Sequence, residues 1–149
     1  ISVNEISPFL GEAGTGPIYE LANFICSGQT SQALEIVSRM MNTTSLTNVK
    51  PIHPLQIISL LANHFRKLAT LDDKNINNKN DAHTALGGKG SPYGSQKSWE
   101  ISKQLGTKKL LKAIIEIGNS DTAIKGETAI EGQIIIELLI IKLCKICEN

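Results

Sequence analysis

The sequence predicts an all-α protein, a compact bundle of about five to six helices. Three observations carry that expectation. Apolar residues recur at three- and four-residue intervals through most of the chain, as in Ile58, Leu61, Phe65 and Leu68. Proline, serine, threonine and glycine fall where helices start and stop. Strand-like alternation of apolar and polar residues is confined to Ile1 to Leu10. With 149 residues, 41% hydrophobic and 19% charged, the chain has the make-up of one globular domain, with or without a short appendage.

Residues 1–14 read as a tail and hinge, because Gly11, Gly14 and Gly16 crowd one short stretch. The domain proper is expected over 15–149. Its first helix starts at Pro17, suited to a first helical position, and lines up Ile18, Leu21, Ala22 and Ile25 on one face. Ser27-Gly28 ends it, with Gly28 as a left-handed cap. A second helix, capped by Thr30 or Ser31, turns Ala33, Leu34, Val37 and Met41 inward and ends at the polar run Asn42 to Asn48. Pro51 and Pro54 precede a third helix that carries the Ile58–Leu68 stripe and closes at Leu71.

Asp72 to Asp81 is a solvated Asn- and Lys-rich loop, followed by a short helix over Asp81 to Leu86 and a glycine break at Gly87 to Gly90. Ser91-Pro92 starts a helix running to Leu105, which Gly106 ends. Thr107 caps the next, with a broad apolar face of Leu110, Leu111, Ile114, Ile115 and Ile117. Asp121 and Lys125, acid four residues before base, form the favourable helical ion pair. The last helix carries a Thr128/Glu131 capping box and is apolar on nearly all sides from Ile130 to Ile146, so it belongs mid-bundle or under a partner.

Few features offer chemistry. Cys144 and Cys147 have the spacing of half a zinc site, yet only Cys26 and the scattered His53, His64 and His83 remain to complete one. Their place at a helix C-terminus opposes thiolate formation. Gly11 to Gly16 lacks the order of a dinucleotide loop, and Lys89 is followed by Gly90 rather than Ser or Thr; both stretches are turns. His64 reads as a helix-surface or core-edge residue, not a catalyst. No catalytic, cofactor or metal site is therefore expected, and an odd count of three cysteines fits a reducing cytoplasm.

A net charge of +1 argues against bulk wrapping of duplex DNA. Locally, Lys97, Lys103, Lys108, Lys109 and Lys112 gather around Gly106, either as a solvated face or as a phosphate-facing patch. Trp99 among them is a packing anchor or a base-stacking platform. The most apolar stretch, Ile134 to Cys144, is interrupted by Glu137 and Lys142 and is too short to span a bilayer, so no membrane partner is expected. A start at Ile1 rather than Met suggests a piece of a longer protein.

Order and spacing of these segments resemble a known family. Gly16 to Met41, with Ser27-Gly28 between two helices and Ala33, Leu34, Val37 and Met41 in the second, is similar to the opening helical pair of the C-terminal collar of the bacterial DNA polymerase III delta subunit, a clamp-loader component. His53 to Leu71, with Pro54 at its start and Phe65-Arg66-Lys67-Leu68 near its end, resembles the next helix. Ser91-Pro92-Tyr93 with Lys97, and Asp121 to Gly126, resemble later motifs of that family.

The resemblance implies a collar fold in which the domains of five subunits pack side by side. It implies gamma/tau and delta-prime type subunits as partners, and a cytoplasmic site of action. It also implies that residues 1–14 are the tail of a preceding lid domain, that no ATP is hydrolysed by delta itself, and that DNA is met through the full complex. The family's clamp-binding and ATPase-like domains lie upstream of the resembled stretch, so the sliding clamp would be met only through them. Two further readings stand beside it: an unrelated helical adaptor gripping a peptide, and a small thiol or zinc enzyme.

Overall fold

The computed structural model describes residues 17–42, 50–88, 90–126 and 130–148. It is helical throughout, and no strand occurs among the described residues. The six helices are α1 (17–26), α2 (Thr30–Met41), α3 (Pro54–Leu71), α4 (Lys79–Ala85), α5 (Pro92–Lys125) and α6 (Gly132–Cys147). The alternation at Ile1 to Leu10, the Gly11 to Gly16 hinge, most of the Asn42 to Asn48 run, Lys89 and Thr128 lie outside the described residues.

The core follows from the apolar spacing. Ile18, Leu21, Ala22 and Ile25 of α1 are all buried, as are Ile58, Leu61, Phe65 and Leu68 of α3. All of these but Ala22 join Ile136, Leu139, Ile140 and Leu143 of α6 in one cluster. Helix α3 lies chiefly along α5, which also packs on α4 and α6, while α2 leans on α6. Burying one such aliphatic side chain contributes about 1.5–3 kcal/mol, so these three stripes dominate the stability.

Gly28 takes φ +72° after α1, the left-handed cap that its position requires. Gly106, at φ +81° and ψ 165°, breaks α5 into a first limb, 92–105, and a second limb, 107–125. The expected pair of helices is therefore present as two limbs with no loop between them. Ser91 caps the first limb, its hydroxyl accepting from the Tyr93 amide at 3.2 Å.

Four local expectations change, and α3 gains a cap that none of them covered. Helix α2 begins at Thr30 behind Gln29, with no side-chain cap, and buries Ile36 and Met40 while Leu34 and Met41 are half-buried. The rotation is one residue, because the apolar stripe of α2 (33, 34, 36, 37, 40 and 41) is wide enough for two settings and the position of α6 selects the inner one. Helix α3 is capped by His53: the Leu55 amide donates to His53 Nδ1 at 3.1 Å, and the His53 amide donates to Gln56 Oε1 at 3.2 Å. Helix α4 starts at Lys79, earlier than Asp81, because Asn78 accepts from the Asp81 amide at 2.9 Å. The Thr107 hydroxyl donates to Asp72 at 2.5 Å, tying the second limb to the α3–α4 loop. Glu131 is the residue before α6 rather than part of its first turn.

Candidate functional site

Helix α6 is too apolar for its neighbours to cover. Ile135, Ile136, Leu139, Ile140 and Leu143 face the core. On the opposite side Ile134, Leu138 and Ile141 recur at helical spacing and stand 44–47% exposed. The second limb repeats the pattern. Leu110, Ala113 and Ile117 are buried, while Leu111 and Ile115 are 55% and 60% exposed. The broad apolar face expected over Leu110 to Ile117 is thus split: one half builds the core and the other faces outward. Two adjoining helices thus expose five aliphatic side chains between them.

The five lysines expected as one patch separate into two groups. Lys97 stands over the Tyr93 ring at 5.1 Å, and Lys103 over the Trp99 ring at 3.8 Å. Trp99 itself packs against Leu71, Ile76 and Ala82, so it is an anchor of the small core under α4. Lys108, Lys109 and Lys112 instead join Lys142 and Lys145 of α6 around a groove of about 580 Å³. Glu116 also lines it and lies 3.7 Å from Lys142. Lys109 Nζ donates to the carbonyls of Cys147 (3.5 Å) and Glu148 (3.2 Å), a cation at the end of α6 where the helix dipole favours one. Sequence reasoning missed Lys142 and Lys145, since only the pairing of α5 with α6 brings them beside the other three.

Among the described residues, the titratable groups with clearly shifted pKa values are three cysteines and His64. Cys26, Cys144 and Cys147 are thiols near the ends of α1 and α6. Cys26 donates a hydrogen bond to Cys147, which draws the Cys147 thiol below its ordinary pKa despite burial, with Lys109 assisting. The same contact, with burial, pushes the Cys26 thiol far up, and burial raises Cys144. Among the described residues no group of three His, Cys, Asp or Glu is placed to hold a metal ion. His64 is 7% exposed, edge-on to Tyr19 and Phe65, and its Nε2 has no hydrogen-bond partner. Burial first, and the Lys67 charge second, lower its pKa from 6.5 to about 4. A second groove of about 460 Å³ between α3 and the second limb is flanked by Asp121, whose carboxylate meets Lys125 at 3.0 Å.

These features define a helical bundle whose last two long helices expose aliphatic surface beside a lysine-lined groove. The chain belongs to the family described as DNA polymerase III delta subunit, C-terminal domain, whose model matches residues 15–143. Membership ties it to the DNA polymerase III machinery and removes the reading as an unrelated adaptor. No curated protein and no solved structure matched the chain. Among the described residues, no helix is long and apolar enough to cross a membrane.

Proposed function

We propose that this domain is the subunit-assembly element of a delta-type clamp-loader subunit. It does no chemistry of its own, and it holds its subunit in a complex that loads the sliding clamp onto primed DNA. The observation that carries the reading is the outer face of α6: Ile134, Leu138 and Ile141, half exposed at helical spacing, with Leu111 and Ile115 exposed on the neighbouring helix. Family membership supplies the partner class. The partners are gamma/tau and delta-prime type subunits, and this face packs against the equivalent domain of one of them. Residues 1–14 belong to the preceding lid domain, and the work is done in the bacterial cytoplasm.

Size-exclusion chromatography of the domain mixed with those subunits tests it. Co-elution is expected, and Leu138→Ser with Ile141→Ser should abolish it while leaving the thermal melt of the domain nearly unchanged. Absence of co-elution under conditions where a full-length delta subunit co-elutes would refute the assembly role.

A further inference from the structure

We propose that the groove between the second limb of α5 and α6 binds the phosphate backbone of duplex DNA. Lys108, Lys109 and Lys112 come from one helix, and Lys142 and Lys145 from its neighbour; all five line one groove of about 580 Å³. Among the described residues Glu116 is the single carboxylate on its walls, and it sits 3.7 Å from Lys142. The whole chain carries a net charge of only +1, so this is a local concentration of cations and not a reflection of overall composition.

Two considerations select the ligand. Lysine is depleted where protein surfaces pack together, because its strongly hydrated ammonium is costly to desolvate, so five on one groove do not suit a buried protein contact. They suit phosphates, which lysine meets as a point charge without losing its water. No aromatic side chain among the described residues lines the groove, whereas single-stranded nucleic acid is gripped by stacking as well as charge. Backbone phosphates of a duplex, met without regard to sequence, remain. The choice of DNA as the polyanion rests on the proposed clamp-loader role.

The test is fluorescence anisotropy of this chain with a short labelled duplex of arbitrary sequence. Neutralising about four phosphates gives log K a slope of roughly −3.5 against log salt, so affinity should fall roughly a hundredfold between about 50 and 200 mM salt. Lys108→Gln with Lys112→Gln and Lys145→Gln should flatten that slope by roughly 2–3. Glu116→Gln should tighten binding, a change of the opposite sign that no loss of folding could mimic. Lys97→Gln with Lys103→Gln should leave binding unaltered. The proposal falls if the duplex does not bind at low salt, or if the Lys97/Lys103 variant weakens binding as much as the groove variant. It also falls if a single strand or a poly-glutamate peptide binds more tightly than the duplex. The measurement uses the chain alone, so its outcome is independent of co-elution with partner subunits.

Discussion

The two limbs of α5 invert the usual relation between polarity and burial. The first limb buries Ser95, Ser98 and Ser102, whereas the second exposes Leu111 and Ile115. On the first limb the small side chains let α3 and α4 approach, and the polar atoms find partners inside the chain: Ser102 donates to the Leu68 carbonyl at 2.7 Å, and Ser95 Oγ lies 3.3 Å from His83 Nδ1. A hydroxyl satisfied in this way costs little to bury. The second limb has α3 and α6 against its inner side and none of the described residues over its outer side. What separates them is the chemistry of the outward side: the first limb presents Tyr93, Lys97, Glu100, Lys103 and Gln104 to solvent, and the second presents Leu111 and Ile115.

The largest effect should come from neighbouring residues on the second limb. Leu110 is 1% exposed and Leu111 is 55% exposed, so Leu110→Ala should cost about 2–5 kcal/mol in urea unfolding through the cavity it opens. Leu111→Ser should stay within about 0.5 kcal/mol and act only on partner co-elution. If both cost the same, the second limb has no outward side and the contrast between the limbs is lost.

A sealed interior should also carry a pH signature. His64 is buried neutral, with its pKa depressed from 6.5 to about 4. Its contribution is present above pH 6.5 and is lost as pH falls toward 4, because the unfolded chain takes up the proton first; the gap amounts to about 3 kcal/mol. Unfolding free energy measured across that range should fall more steeply for the native chain than for His64→Leu. Parallel profiles would mean that His64 reaches water, and that the enclosed part of the bundle is less closed than its burial indicates.

The joint between the limbs offers a middle-sized test. Gly106 lies at φ +81°, and a methyl group added there would have no atom within 4 Å. Gly106→Ala is therefore opposed by backbone conformation alone, at about 1–3 kcal/mol. Gly118, within the second limb and equally uncrowded, should gain up to about 1 kcal/mol from the same change. Thermal melts of the two variants should move in opposite directions. A shared direction would indicate one continuous helix, not two limbs with different roles.

How much of this was legible in the residues depends on how many helices each feature involves. The α1 face, the α3 stripe, the Ser91-Pro92 start and the break at Gly106 are set by signals within one segment, and the sequence displays them directly. The inner face of α2 differs from its expected position by one residue, since apolar residues at 33, 34, 36, 37, 40 and 41 fit two rotations and only α6 decides between them. His53 escapes a reading of the sequence because histidine is not a usual cap and acts here through Nδ1. The groove needs the α5–α6 pairing, which no single-helix pattern contains. Exposure of Leu111 and Ile115 is hidden for the same reason: periodicity shows that a side is apolar, not that anything covers it.

The smallest effect concerns Asp121 and Lys125, whose side chains are 36% and 62% exposed at 3.0 Å. Solvent screening limits such a pair to about 0.3–0.5 kcal/mol, read as the coupling in a double-mutant cycle. The single variants should differ, however. Lys125 stands in the last turn of the second limb, where a cation complements the carbonyl end of the helix, so Lys125→Ala loses both the pair and that interaction. Asp121→Ala loses the pair but also removes a negative charge from the same end, so it should cost less. The order Lys125→Ala above Asp121→Ala, both shrinking in high salt, is the expected result in urea unfolding. A coupling above about 1 kcal/mol would mean that the second limb is held by its own polar contacts more firmly than surface screening allows.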